Sequence, residues 1–138
     1  MMRVVLDTNV LVSALISPFG NEAQALDAVQ KGRIIPCLSP SILMEYAEVL
    51  ARPKFGFARD EIDGLIGLLK SKGLLFEPAS AAGASPDSGD DHFIACALEA
   101  RAELIVTGNK RHFPAEACGR AKVVSARELV EILKEHQS

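Results

Sequence analysis

Acidic side chains at three places in the sequence supply the residue types that metal-assisted chemistry requires. Asp7 interrupts the apolar run VVLDTNVLVSAL, Glu45 lies within SPSILMEYAEVLARP, and Asp87, Asp90 and Asp91 fall within SPDSGDDHF. A carboxylate in an apolar run is costly to desolvate unless a cation or a hydrogen-bond donor compensates. Asp7 therefore needs a partner.

Two of these features also have a purely structural explanation. Asp7 can cap the backbone after a strand through an Asx-type turn. Acids at a helix N-terminus answer the helix dipole, although three acids within five residues, Asp87, Asp90 and Asp91, exceed that need. Both explanations stay open on the sequence alone.

Glu45 is placed by the phase of its helix. Ile42 precedes it by one turn and Val49 follows by one turn, so Glu45 lies on an apolar stripe, whereas Glu48 falls on a polar face with Arg52. The alternative is a glutamate at the edge of the stripe whose carboxylate reaches water.

Strand-like and helix-like segments alternate along the chain and predict the elements that position these acids. The predicted strands are RVVLD, RIIPCLS, LLFEP, ELIVTGN and AKVVSA, and the predicted helices are NEAQALDAVQKG, SPSILMEYAEVLARP, RDEIDGLIGLLKSKG, DDHFIACALEARA and SARELVEILKEHQ. The whole run VVLDTNVLVSAL has the composition of a buried strand. This alternation predicts an α/β/α sandwich around a central, mainly parallel sheet.

Capping residues set the predicted helix starts. Asn21, Ser39 and Asp60 are expected N-caps, and Ser125 with Glu128 forms an S-x-x-E capping box before the last helix.

The predicted topology brings the acids to one edge of the sheet, because ligands of such sheets bind outside the carboxyl ends of the strands. Asp7 ends the first strand, Glu45 lies in the helix after the second, and Asn109 follows LIVT. Two like charges ~4 Å apart repel by ~4 kcal/mol at a protein-surface dielectric, so converging carboxylates require a cation. Oxygen ligands favour Mg²⁺ or Mn²⁺, and such ions promote hydrolysis of phosphate esters.

Three ordered motifs resemble those of the PIN domain family. They are VVLDTNVLVSAL, LSPSILMEYAEVLARPKF and DSGDDHFIACALEARAELIVTGN, and together they run from about Arg3 to Asn109. The likeness is greatest to bacterial and archaeal PIN proteins classed as toxins of toxin–antitoxin pairs (VapC-like). The resemblance implies a Mg²⁺- or Mn²⁺-dependent ribonuclease acting on single-stranded or looped RNA, a cognate antitoxin and a homodimer.

The resemblance also assigns the acids. The family's first acid falls on Asp7, its second on Glu45 and its third on Asp90, with Asp91 as the competing choice. Where the family usually has threonine-glycine-aspartate this chain has TGN, so Asn109 departs from the pattern at the fourth acid. That departure bears on the second metal position.

Further polar residues are expected to support the site. The resemblance places the family's polar positions on Asn9, Ser39 and Thr107, and Asp87 is a fourth supporting candidate beside the acids. His92 also lies beside the acids, and we expect it to occupy a surface position on its helix.

Basic residues on either side of the acids are candidate RNA contacts. Lys110, Arg111 and His112 follow Asn109 directly, and Arg52 and Lys54 lie after the helix that carries Glu45. They are suited to hold RNA phosphates, although a solvated turn explains the Lys110 group equally well.

Composition fits a soluble globular protein. The 138 residues are 49% hydrophobic and 24% charged, with a net charge of −3, which gives no bulk basic signature for nucleic acid. No apolar run approaches the ~20 residues that span a bilayer, and the first predicted strand leaves no room for a signal peptide. Three cysteines read as buried reduced thiols. We expect a single cytoplasmic PIN domain over residues 1–138 with no membrane segment.

Two other functions compete with the nuclease. One is a PIN-fold module that binds RNA or protein with weak or no nuclease activity, which Asn109 favours. The other is an aspartyl phosphatase of the haloacid dehalogenase type, which needs a second aspartate two residues after the first. Asn9 occupies that place and disfavours it.

Overall fold

A five-stranded, all-parallel sheet forms the centre of the protein in a computed structural model that describes residues 1–78 and 88–136. The strands are β1 (Met2–Leu6), β2 (Ile34–Leu38), β3 (Leu74–Leu75), β4 (Leu104–Val106) and β5 (Lys122–Val124). Their order across the sheet is β3-β2-β1-β4-β5. The central strand β1 is bordered on both sides, with Val4 opposite Pro36 of β2 and Leu104 of β4.

Six α-helices flank the sheet in the described residues. They are α1 (Thr8–Ile16), α2 (Asn21–Gln30), α3 (Pro40–Leu50), α4 (Arg59–Lys72), α5 (Asp91–Ala100) and α6 (Ala126–Glu135). β1 leads through α1 and α2 to its parallel neighbour β2, and β2 leads through α3 and α4 to β3, whereas β4 pairs with the other side of β1. The predicted α/β/α architecture is confirmed.

The segment after Asp7 corrects one prediction. β1 ends at Leu6, and the chain turns at once into α1, so the apolar run is a strand followed by a helix and not one buried strand. The valines and leucines of α1 are nearly all buried. Tertiary burial therefore outweighs the weak helix propensity of β-branched residues here.

Two predicted N-caps are also corrected by one or two residues. Asn21 is the first residue of α2 and Gly20 is its N-cap. Asp60 lies inside α4, whose N-cap is Ala58; the Glu61 side chain accepts a hydrogen bond from the Ala58 N–H at 3.1 Å. Glu61, at the third helical position, therefore caps the N-terminus of α4, the role that was predicted for Asp60.

The other caps are confirmed. The Ser39 hydroxyl accepts from the Ile42 N–H at 3.3 Å, with Pro40 at the first position of α3. Ser125 and Glu128 exchange both bonds of the capping box before α6, at 2.8 and 3.1 Å.

A buried tyrosine ties α3 to the end of β1. Tyr46 is fully buried, and its hydroxyl donates to the Leu6 carbonyl at 2.5 Å. This bond joins the residue before Asp7 to the residue after Glu45, so it fixes the two acids relative to each other.

The three cysteines, Cys37, Cys96 and Cys118, are buried and free, as predicted. Over the described ranges, no helix is both long enough and apolar enough to cross a bilayer.

Candidate active site

Polar residues follow β1, β2 and β4 directly, at the carboxyl edge of the sheet. They are Asp7, Ser39 and Thr107, each at most 6% exposed. Burial of polar groups at the ends of three adjacent strands marks this edge as the place where the fold builds a site.

Asp7 is held by the neighbouring strand. Its N–H donates to the Val106 carbonyl at 3.0 Å, and the Thr107 hydroxyl donates to Asp7 Oδ2 at 2.7 Å. Burial raises the pKa of Asp7, and the charge of Glu45 raises it further; Thr107 and the nearby N–H groups of Thr8 and Asn9 lower the pKa without cancelling that rise. The ionised Asp7 is therefore only partly compensated by the protein.

Glu45 projects from α3 towards the same place. The Thr8 hydroxyl donates to Glu45 Oε2, and His92 Nε2 lies 3.0 Å from Glu45 Oε1. Burial alone would raise the pKa of Glu45, but the contacts with His92 and Thr8 and the charge of Arg52 outweigh it, so the pKa is lowered. The helical-phase prediction for Glu45 is confirmed, since Glu48 is exposed and pairs with Arg52 at 3.0 Å.

Asp90 is joined to Asp7 through a chain of polar contacts. His112 Nδ1 lies 3.0 Å from Asp90 Oδ2, and Asn109 Nδ2 lies 3.2 Å from the same ring nitrogen. The Asn109 N–H donates to the Thr107 hydroxyl at 3.0 Å, and Thr107 donates to Asp7. Asn109 therefore links the two acids and contacts an imidazole.

These side chains line one cleft of about 180 Å³. Its lining residues are Asp7, Thr8, Asn9, Glu45, Val49, Arg52, Asp90, Asn109 and His112. Within the described part of the chain, Asp90 and not its neighbour Asp91 borders the cleft; Asp91 begins α5.

The four predicted supporting residues fall in different places. Asn9 lines the cleft and Thr107 bonds Asp7, whereas Ser39 acts at a distance by capping the helix that carries Glu45. Asp87 lies outside the described residues.

The basic residues predicted to contact RNA also lie in different places. Arg52 lines the cleft, Lys54 lies over the Phe55 ring with its ammonium 5.1 Å from the centroid, and Arg111 is exposed. Lys110 pairs with Glu128 at 2.5 Å and holds the pKa of that carboxyl at about 2. Arg52 is thus the basic candidate that the fold places at the acids.

His92 is more buried than the predicted surface position on its helix. Its side chain is 24% exposed and faces Glu45, although it is not among the side chains that line the cleft. His112 is similar, with 26% exposure and its contact to Asp90. The available sequence signal was proximity: His92 stands two residues after Asp90, and His112 stands three after Asn109.

The donor chemistry fits a hard divalent ion, although the acids are not preassembled around one. The cleft gathers carboxylate and amide oxygens, and the raised pKa of Asp7 is the shift that a nearby cation would reverse. Over residues 1–78 and 88–136, however, no three His, Cys, Asp or Glu side chains form a cluster that could hold one ion. The acids are instead paired with Thr107, Thr8 and the two histidines.

The all-parallel sheet carries a cleft lined by acidic side chains at the carboxyl ends of its strands. The chain belongs to the PIN domain family, whose model matches residues 3–111. It is also 33% identical over 112 residues to the uncharacterized protein MJ1680 of Methanocaldococcus jannaschii, covering 79% of this chain and 72% of that protein. PIN domains are generally nucleases that bind nucleic acid and typically use divalent metal ions. The resemblance inferred from the motifs is confirmed for the family.

Proposed function

We propose that this protein is a Mg²⁺- or Mn²⁺-dependent ribonuclease that hydrolyses phosphodiester bonds. The observation that carries the proposal is Asp7, a buried carboxylate whose pKa is raised and which faces Glu45 across the cleft. A purely structural aspartate would be expected to have its charge compensated by its hydrogen bonds. At Asp7 the hydrogen bonds leave part of the negative charge uncompensated, and a bound metal ion would compensate the remainder.

Asp7, Glu45 and Asp90 are the residues that would hold the ion. When bound, such an ion polarises a phosphoryl oxygen and lowers the pKa of its water. Thr107 orients Asp7 through Oδ2, and Thr8 orients Glu45 through Oε2. Both hydroxyls preset the carboxylates, as groups outside the metal's own ligands commonly do.

Arg52 supplies positive charge at the rim of the cleft, where an RNA phosphate would lie beside the acids. Its guanidinium bonds Glu48 through Nε and a terminal nitrogen. That pair is largely exposed, and such pairs contribute little stability, so a phosphate can compete for the arginine at small cost. The remaining candidates, Lys54, Lys110 and Arg111, would act farther along the strand of RNA.

The decisive experiment titrates Mg²⁺ and Mn²⁺ against cleavage of single-stranded and hairpin RNA, with EDTA as the metal-free reference. Glu45→Gln should lower cleavage at least ~100-fold, as expected for a group that stabilises charge in the transition state. Glu48→Gln, one turn away on the same helix, is the matched control and should stay near wild type. Equal loss in both variants, or cleavage that persists in EDTA, would contradict the proposal.

The biological role is a separate part of the proposal. We propose that the chain is one PIN domain acting in the cytoplasm as a homodimer, and that it is the toxin of a toxin–antitoxin pair. Expression should then arrest growth, and co-expression of a short DNA-binding protein encoded beside it should restore growth. Growth unaffected by the active nuclease would leave the ribonuclease standing and remove the toxin.

Asn109 favours the second candidate function, a PIN-fold module that binds RNA or protein with weak or no nuclease activity. The family's fourth acid is replaced by an amide here, and an amide brings no negative charge to a second ion. The metal titration separates the two functions, because a binding module would retain RNA without cleaving it at any Mg²⁺ or Mn²⁺ concentration.

A further inference from the structure

We infer that His112 is a nitrogen ligand of the divalent ion and makes the site selective for Mn²⁺ over Mg²⁺. The inference rests on the proposed metal-dependent function and adds a residue that the acidic motifs do not contain. Asp90 would bind the same ion through the oxygen that now faces the imidazole.

The distance between the two donor atoms supports a shared ion. His112 Nδ1 and Asp90 Oδ2 lie 3.0 Å apart. Two donors bound at about 2.1 Å to one octahedral ion, at right angles to each other, also stand about 3.0 Å apart. An ion can therefore replace the contact between these atoms while both remain close to their present positions.

The surroundings of His112 point the ring into the cleft. The residue lines the same 180 Å³ space as Asp7 and Glu45, and its side chain is 26% exposed, which leaves room for an ion to enter. Asn109 Nδ2 lies 3.2 Å from both ring nitrogens and restrains the ring from the side of β4.

The asparagine at position 109 removes one carboxylate donor from the site, and His112 can replace that donor. With an amide at the fourth acidic position, the cleft has three carboxylates, and a further protein donor would have to come from a neighbouring residue. His112 stands on the short helical turn directly after Asn109. An imidazole replaces the missing donor without adding a negative charge.

Metal selectivity follows from the donor type. Carboxylate oxygens suit Mg²⁺ and Mn²⁺ alike. An imidazole nitrogen is a poor ligand for Mg²⁺ and a usable one for Mn²⁺, so adding it favours Mn²⁺. Replacing His112 should weaken Mn²⁺ binding at least ~10-fold, because loss of a group that only supports a metal ligand already costs roughly 10- to 100-fold. Mg²⁺ binding should change much less. The dissociation constant for Mg²⁺ divided by that for Mn²⁺ should therefore fall.

The test is pulsed electron paramagnetic resonance of Mn²⁺ added to the full-length, metal-stripped protein. Nitrogen coupling to the ion should appear in the wild type and change when the histidines carry ¹⁵N. It should disappear in His112→Asn and persist in His136→Asn, which alters an exposed histidine at the end of α6. Dissociation constants for Mn²⁺ and Mg²⁺ are measured on the same samples, and His112→Gln serves if the asparagine variant does not fold.

Several results would overturn the inference. Tight Mn²⁺ binding without nitrogen coupling would remove His112 as a ligand and leave the metal-dependent nuclease intact. Coupling that survives in His112→Asn and disappears in His92→Asn would assign the nitrogen to the imidazole beside Glu45. Absence of any Mn²⁺ binding would refute both this inference and the proposed function.

Discussion

Replacing Asp7 by asparagine should make the protein more stable than the wild type without metal and less stable than the wild type with metal. The change removes a buried charge and keeps the shape of the side chain, including an oxygen that accepts from Thr107. In EDTA the variant should be more stable than the wild type, and in excess Mn²⁺ it should be less stable. RNA cleavage should be lost.

The magnitude follows from the balance at Asp7. A buried ion costs several kcal/mol after relaxation, and a hydrogen bond to a charged group returns about 1.5–3 kcal/mol. Because the pKa of Asp7 remains raised despite its donors, part of the cost of burying its charge persists. We expect Asp7→Asn to gain about 1–2 kcal/mol without metal, or roughly 3–6 °C for a chain of this length.

Metal binding acts in the opposite direction. A ligand at 100 times its dissociation constant stabilises the folded state by about 2.7 kcal/mol. The wild type should gain this amount in Mn²⁺, and the variant should gain far less, so the two melting temperatures should cross.

The pH dependence of stability provides a second test of whether the charge on Asp7 destabilises the metal-free protein. A folded-state pKa above the ordinary 3.8 means that protonated Asp7 favours folding. That contribution is complete below pH 3.8 and is lost as the pH rises through the folded pKa. In EDTA the advantage of the variant should therefore be full above the folded pKa of Asp7 and vanish near pH 3.8. A variant that is less stable in EDTA at neutral pH and still responds to Mn²⁺ would show that Asp7 is structural.

Two further predictions concern the contacts of Asp7. Thr107→Val removes the hydroxyl that donates to Asp7 and should cost about 1.5–3 kcal/mol in EDTA, measured by denaturant unfolding, and the cost should shrink in the Asp7→Asn background if the bond is the cause. Asn109→Asp restores the family's fourth acid and should tighten Mn²⁺ binding and raise cleavage while lowering the melting temperature in EDTA; a variant that gains neither would exclude Asn109 from the metal site.

The acids were predictable from the sequence because their positions depend on local signals. Asp7 follows a strand whose apolar pattern is strong, and Glu45 is fixed by the phase of a helix with a clear Ser39 cap. Parallel strands then bring both to one edge whatever the details of packing. These steps need only the order of elements and their approximate ends.

The partners of the acids were not predictable in the same way. Thr107 meets Asp7 across 100 residues, His92 meets Glu45 across 47, and His112 meets Asp90 across 22. Such contacts depend on how helices rotate against the sheet, to within an ångström. The sequence places a histidine near each acid in number but cannot show that its ring turns inward.

The helix that begins after Asp7 changes the explanation for why this carboxylate is tolerated. As the end of a buried strand, Asp7 would need a cation simply to be folded. As the N-cap of α1 it stands beside the N–H groups of Thr8 and Asn9 and accepts from Thr107, so the protein itself compensates part of its charge. The pKa of Asp7 nevertheless remains raised, which means that these donors compensate only part of the burial. A carboxylate that is only partly compensated still favours positive charge, so an ion that binds there relieves a cost that the metal-free protein carries.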